Sequence, residues 1–233
     1  SQLKIMIRTN YSNPPTHGAT VVATVLNTPE LRALWEKELG EMRLRIKQMR
    51  LALVEKLKAA HPGAVVIERD LAKDPVPHLT EQMMGAYFTP ADQRTEAQRQ
   101  TVQLSDNLVS ELLSADVVVI GAPMYNFSIS STLKAWIDHI ARAGITFKYN
   151  EQGVPVGLVH GKKFFVFTSR GGVYSSGPAK ALDFHETYLR GALGFLGITD
   201  VSFVSAEGLA MGDEAVNTAL ANGRHAMDAL IAA

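Results

Sequence analysis

Along the chain the spacing of apolar residues keeps switching between two periods. Ala64–Glu68 (AVVIE) is a short apolar run and predicts a strand. Leu104, Leu108, Leu112 and Leu113 recur at three- and four-residue steps and predict a helix over Val102–Ser114. Asp116–Gly121 (DVVVIG) is apolar throughout, the pattern of a strand buried on both faces of a parallel sheet. Leu133, Trp136, Ile137 and Ile140 mark one face of a helix over Ser130–Ala143. Lys163–Thr168 (KFFVFT) predicts a second buried strand, Asp183–Leu196 an apolar-rich helix, Asp200–Ser205 a further strand and Asp213–Ala232 a terminal helix.

The first 57 residues follow another pattern. Leu31, Leu34, Trp35, Leu39, Met42, Ile46, Met49, Leu53 and Leu57 predict one long amphipathic helix over Thr28–Ala60. Thr28 serves as its N-cap and Pro29 as its first residue. Asn10–Gly18 (NYSNPPTHG) is a Pro-rich turn, and Leu3–Arg8 reads equally as strand or helix. A helix of that length is out of scale for a doubly wound domain, where the mean is about a dozen residues.

Alternating strands and helices predict an α/β fold, an open parallel sheet covered by helices on both faces. Ligands bind such sheets beyond the carboxyl ends of the strands, near the switch in strand order. That places the chemistry just after Gly121 and just after Thr168.

Composition narrows the choice further. The 233 residues suffice to bury a substantial core, and 46% apolar with 20% charged residues is globular composition. Basic and acidic side chains balance at 23 each, so no global field recommends nucleic acid as a partner. The absence of cysteine excludes disulfides, thiolate metal sites and a cysteine nucleophile, and fits a cytoplasmic protein. No apolar run is long enough to span a bilayer, and the amino terminus does not read as a signal peptide. Neither HExxH, a Ser-His-Asp set nor a paired-carboxylate arrangement stands out, and no metal site is expected.

The two expected loops carry a resemblance. Ala122-Pro123-Met124-Tyr125-Asn126-Phe127, then Leu133-Lys134-Ala135-Trp136-Ile137-Asp138, resembles the FMN-dependent NADH azoreductases of the flavodoxin-like quinone reductase group. Arg142–Tyr149, Thr168-Ser169-Arg170-Gly171-Gly172, Leu193–Asp200 and Ala206-Glu207-Gly208 agree with the same family and follow in order. The resemblance covers residues 58–233 and implies a flavodoxin-like doubly wound parallel sheet with an atypical, helix-rich amino-terminal segment. It also implies that Pro123, Met124, Tyr125, Asn126 and Phe127, with Ser169, Arg170, Gly171 and Gly172, bind FMN. The physics is compatible: a flat apolar ring with a polar edge suits aromatic walls, an amide side chain and glycines that let the backbone approach closely. Read without the resemblance, the first loop is equally a strand-to-helix turn with a buried aromatic pair, and the second an anion-binding turn or a plain connection. The implied activity is ping-pong hydride transfer from NADH or NADPH, through FMN, to a quinone or azo compound, in a homodimer with no protein nucleophile.

Other side chains are less specific. By resemblance Tyr87 and Phe88 lie in a mobile substrate loop, Met83–Pro90; a packed loop aromatic is the plain alternative. His185 matches a segment that helps cover the site, although a surface histidine is the simpler expectation. His139 reads as structural or exposed, and Asp138 as a helix-surface contact.

Family members open with a strand and a Ser-rich loop whose amides and hydroxyls hold the FMN phosphate at a helix amino terminus. That loop is not recognisable here. Ser1–Leu57 instead resembles part of the class I aspartate/aromatic aminotransferases, on Ile7–Gly18, Val21–Leu26, Leu34-Trp35-Glu36 and Met42–Ile46. The lysine and phosphate motifs of that family lie outside the matching stretch, so transamination is not expected. These readings divide the chain into an aminotransferase-like segment, 1–57, and an FMN-binding domain, 58–233, as in a chimera with its seam near Leu53–Ala60. Either the segment mimics the missing strand and loop, with Thr9, Asn10, Ser12 and Asn13 meeting the phosphate, or it keeps its parental helices. In the latter case the chain folds but binds flavin weakly or not at all.

Overall fold

The computed structural model describes residues 24, 26–33, 54–56 and 58–232. The chain divides into two compact units, Ser1–Val66 and Ile67–Ala233. In the first unit residues 24, 26, 27 and 29–33 are helical; the Thr28 carbonyl accepts the Arg32 N–H at 2.9 Å, but the Thr28 N–H itself donates to the Thr24 carbonyl at 3.0 Å, so helical structure precedes the residue expected to be the N-cap. Residues 54–56 and 58–60 are also helical. The remainder of the expected long helix, Leu3–Arg8, Thr9 and Ser12 lie outside the described residues.

The second unit holds the chemistry. Its elements are α1 (Glu81–Phe88), α2 (Glu96–Ser114), β1 (Val117–Pro123), α3 (Ser131–Ile140), β2 (Phe147–Tyr149), β3 (Pro155–Gly157), β4 (Lys163–Ser169), α4 (Phe184–Phe195), β5 (Asp200–Ala206) and α5 (Asp213–Ala232). Strands β1, β4 and β5 form a parallel sheet in that order, while β2 and β3 pair antiparallel as a separate hairpin. The α/β class and the parallel sheet match the expectation from the sequence.

Local chemistry sets the element boundaries. Helix α2 begins six residues before its apolar stripe, because Thr95 and Gln98 form a reciprocal capping box. Helix α3 stops at Ile140 rather than Ala143. There the Thr146 hydroxyl donates to the Ile140 carbonyl at 2.6 Å and accepts the Arg142 N–H at 2.8 Å, closing the chain into a turn. The segment expected to be a mobile loop around Tyr87 is helix α1, capped by the Thr80 hydroxyl on Met83 N–H. The expectation of a loop missed that cap.

Two strand expectations are corrected. Ala64–Glu68 forms no strand; Val65 is 89% and Ile67 63% exposed, and the boundary between the two units falls inside this run. An apolar run becomes a strand only where a sheet edge accepts it, and no described strand pairs with this one. Strand β1 is buried on one face only: Ile120 and Ala122 are covered while Val117 and Val119 are exposed. It is one of the two outer strands of the described sheet, with β5, whereas β4 is flanked by both and buries Phe164, Phe165 and Val166.

The core joins the sheet to its helices through Leu108 and Leu112 of α2, Leu133, Ile137 and Ile140 of α3, Ile120, Phe164, Val166, and Leu189 and Leu193 of α4. Helix α5 packs on β5. Gly157 of β3 lies so close to the end of α4 that a Cβ there would collide with the Gly197 backbone nitrogen.

Candidate functional site

The ladder that pairs β1 with β4 brings the two sequence-predicted loops together. Pro123 is in register with Ser169, and one residue further on the Met124 N–H donates to the Ser169 carbonyl at 2.9 Å. Both loops therefore start level, side by side, at the carboxyl ends of neighbouring strands.

In the first loop Tyr125 and Ser128 exchange two backbone hydrogen bonds, Tyr125 N–H to Ser128 O at 2.8 Å and the reverse at 3.0 Å. Asn126 (φ 46°) and Phe127 (φ 72°) make the two-residue turn between them. Positive φ at both central positions is the type I′ pattern, which suits Asn but strains Phe. The aromatic pair is not buried: Tyr125 is 58% and Phe127 42% exposed. The Phe127 ring meets the Tyr174 ring edge-on at 6.2 Å, linking the first loop to the second.

In the second loop three successive carbonyls are taken. Arg170 O accepts from Leu209 N–H at 3.1 Å, Gly171 O from Ala210 at 3.0 Å and Gly172 O from Gly208 at 3.0 Å. The peptides of this loop, like all those among the described residues, are trans. In a trans peptide the C=O and the next N–H point to opposite sides. The N–H groups of Gly171, Gly172 and Val173 are thus turned away from residues 208–210, and none finds a backbone acceptor among the described residues. The result is a row of three donors.

Arg170, a predicted cofactor-binding residue, is buried with its side chain committed to carboxylates. Nη1 donates to Asp183 and to Glu207, each at 2.9 Å, and Nη2 lies 3.5 Å from Glu186. Neither its guanidinium nor its backbone is open to a ligand, since its N–H donates to the Ala206 carbonyl at 2.8 Å and its carbonyl is taken by Leu209; the free donors are those of the three residues that follow. Glu207 Oε1 also accepts the N–H groups of Tyr174 and Ser175, both at 3.0 Å. Burial pushes the Glu207 carboxyl up, but these hydrogen bonds and the Arg170 charge outweigh it and hold the pKa below its usual value. The sequence named Ala206-Glu207-Gly208 only as a motif. The anchoring role was invisible there because its partners lie more than thirty residues away along the chain.

His185 is a correction: the simpler expectation was a surface histidine, and it is fully buried in the first turn of α4. Neither ring nitrogen has a hydrogen-bond partner. Burial first, and then the Arg170 charge, lower its pKa, with Asp183, Glu186 and the Ala122 backbone opposing. An imidazole so placed is neutral.

The remaining candidates divide. Phe88 is exposed. Tyr87 is tied down: its hydroxyl lies 2.8 Å from His139 Nδ1, and the Arg142 guanidinium stacks 4.3 Å from its ring centre. His139 Nε2 donates to the Pro77 carbonyl at 2.9 Å, so in the neutral ring Nδ1 accepts from Tyr87. The buried Arg142 reaches Ser105 at 2.6 Å and Asp106 at 2.8 Å. His139 is therefore structural, as expected, and Asp138 pairs with Lys134 on the helix surface. Thr9 and Ser12 lie outside the described residues. Among the described residues there is no cluster of three or more His, Asp or Glu suited to a metal ion, and no helix long and apolar enough to cross a membrane.

A donor row in one loop and exposed aromatics in the neighbouring loop suit a flat apolar molecule with an electron-rich edge, as the isoalloxazine of FMN is. Fold and site together define a flavodoxin-like α/β protein: a family model described as flavodoxin-like fold matches residues 45–231, and the chain belongs to that family. Among its relatives is the FMN-dependent NADH:quinone oxidoreductase of Herminiimonas arsenicoxydans, 58% identical over 180 residues, which cover 77% of this chain and 88% of the relative. An enzyme of the same name from Azotobacter vinelandii is 51% identical over 178 residues, 76% of this chain and 87% of its own. Solved structures agree. An azoreductase from Bacillus anthracis str. Sterne superposes with TM-score 0.71 at 34% identity, covering 78% of this chain and 88% of its own. An FMN-dependent NADH-azoreductase from Bacillus anthracis str. Ames Ancestor, in complex with FMN, gives TM-score 0.67 at 28% identity, covering 77% and 87%.

Proposed function

We propose that this chain is an FMN-dependent oxidoreductase that takes reducing equivalents from NADH and delivers them to quinones or azo compounds. The observation that carries the reading is the row of three unpaired N–H donors beside the Tyr125–Ser128 turn, both set at the ends of adjacent parallel strands. FMN, when bound, supplies the hydride chemistry. The protein's residues bind and orient it. Gly171, Gly172 and Val173 offer N–H groups to its electron-rich edge, Met124, Tyr125 and Phe127 wall the ring, and the Asn126 amide gives a further polar contact. Ser169 is the ladder residue that holds the two loops in line through Met124. Phe88 and Tyr87 remain substrate-side candidates on the resemblance alone: Phe88 is exposed, and Tyr87 is held by His139 and Arg142 at the carboxyl end of α3, the end away from the two loops. His185, buried and neutral, supports the same wall without meeting solvent. In this reading the active unit is a cytoplasmic homodimer, and NADH, the donor in the relatives' names, or NADPH supplies the electrons.

A fluorescence titration of the purified protein with FMN tests the reading. Micromolar or tighter quenching, followed by FMN-dependent oxidation of NADH by a quinone, is the expected result. A folded protein that leaves added FMN bright would sink it.

One observation favours a second reading. The family match covers residues 45–231, so residues 1–44 lie outside it while 45–57 of the expected amino-terminal segment fall within it. In this reading the amino-terminal segment is an aminotransferase-like graft, and Thr9 and Ser12 replace little of the phosphate binding. Each lost charge-assisted hydrogen bond costs about 1.5–3 kcal/mol, so FMN affinity falls by orders of magnitude while the fold survives. The same titration separates the two.

A further inference from the structure

We propose that Glu207 is a positioning residue that fixes the direction of the Gly171–Val173 amides, and through them the affinity and reduction potential of the bound flavin. The inference rests on the FMN reading above and extends it to a residue outside the two binding loops.

The argument begins with the connectivity. Gly171 and Gly172 have no side chains to hold them, and a Gly-Gly backbone pays the largest entropic cost on being ordered. The loop is nevertheless anchored on both flanks by one carboxylate. On the amino side Glu207 Oε1 takes Arg170 Nη1 at 2.9 Å, and on the carboxyl side it takes the Tyr174 and Ser175 N–H groups at 3.0 Å each. Glu207 Oε2 adds a longer bond to the same Ser175 N–H, 3.3 Å. Consecutive N–H groups converging on one oxygen form an anion nest, and here its anion is the protein's own side chain. The residues after Glu207 finish the job. Gly208, Leu209 and Ala210 fill the carbonyls of Gly172, Arg170 and Gly171, so the three amide planes that carry the donors are held by the backbone that follows Glu207, while Glu207 itself holds the next two amides and the Arg170 side chain and so fixes the ends between which those planes turn.

If Glu207 lets go, Tyr174 and Ser175 lose their acceptor and the carboxyl flank of the loop is free to rotate. The row of three donors, continuous with that flank, then loses its fixed direction. Donors aimed at the electron-rich edge of a flavin favour its electron-richer form. Loosening them weakens binding and makes the potential more negative. Arg170 alone does not reproduce this, because it keeps Asp183 and Glu186 when Glu207 is changed.

Two conservative variants of the full chain decide between this role and a purely electrostatic one. E207Q loses the charge but keeps an oxygen in reach of the Tyr174 and Ser175 amides. E207D keeps the charge but withdraws it by one methylene. FMN dissociation constants come from fluorescence quenching, midpoint potentials from the bound flavin, and amide hydrogen exchange at residues 171–175 from the flavin-free protein. Positioning predicts that E207D raises the FMN dissociation constant roughly 10- to 100-fold, the equivalent of one or two misaligned donors. It also predicts a more negative potential and faster exchange at residues 171–175 in E207D, while E207Q changes the dissociation constant less than about threefold. The opposite order, E207Q weak and E207D near wild type, would show that only the charge beside Arg170 matters and would overturn the proposal. Equal, wild-type-like behaviour of both variants would overturn it too. A wild-type chain that binds no FMN would defeat the flavin reading itself, and is told apart by failing before any variant is compared.

Discussion

Phe127 sits where a glycine would be at ease. Its φ of 72° belongs to the left-handed region, and an aromatic residue held there costs about 1–3 kcal/mol. The exposed ring is the return on that cost, since it stands beside Tyr174 at the rim of the site. Phe127→Gly is expected to raise stability to urea by about 1 kcal/mol while weakening FMN binding several-fold in the quenching titration. A variant that gains stability and loses no affinity would remove Phe127 from the site. His185 yields a pH effect. Its folded pKa is depressed, so at neutral pH both folded and unfolded states carry a neutral ring. As pH falls below about 6.5 the unfolded chain takes up a proton that the folded chain refuses, and stability drops until the folded pKa is reached. His185→Gln is expected to flatten the urea midpoint between roughly pH 7 and 5 relative to the wild type, and an unchanged slope would show that the ring is not held neutral. At this scale the sequence was informative wherever a motif was contiguous. The 123–127 and 169–172 stretches could be read as loops directly, but the Arg170–Glu207 linkage spans 37 residues and needed coordinates.

The elements are where local chemistry and long-range packing part company. Helix α2 is specified by its own residues, an apolar stripe preceded by a capping box, and Thr95→Ala is expected to cost about 1 kcal/mol in a denaturant titration. The apolar runs of β1, β4 and β5 were legible for the same reason, being four or more residues of strand-forming composition between polar breaks. Ala64–Glu68 has the same composition and forms no strand, because composition proposes a strand and a neighbouring edge accepts it. Position, likewise, decided that β1 would bury one face and not two. The contact of β3 with the end of α4 could not be read at all. Gly157→Ala would push a methyl into the Gly197 backbone, and a loss of about 3 kcal/mol or more is expected, against almost none for Gly153→Ala's immediate neighbour change Gln152→Ala on the open hairpin turn. Equal losses at both sites would mean that the close approach relaxes freely.

For the molecule as a whole, the described sheet ends at β1, with Val117 and Val119 facing solvent from an outermost strand. Bare apolar edge strands invite association. Val119→Lys is expected to delay the onset of light scattering on heating while shifting the unfolding midpoint little, and an unchanged onset would place the sticky surface elsewhere. Which described strands stand at the border was not foreseeable, because the alternating pattern says how many strands there are and not their order in the sheet. The level ends of the sheet have a different consequence. Pro123, Ser169 and Ala206 share one row of the ladder, and Met124, Arg170 and Glu207 each follow it by a single step. A residue inserted into β4 would carry the whole second loop past both neighbours at once, whereas a residue inserted at Glu151–Gly153 changes only a hairpin tip. Over the lineage of such a chain, length is therefore free to drift at the hairpin and frozen in the strands. An insertion scan scored by FMN retention should recover that division as a sharp border rather than a slope.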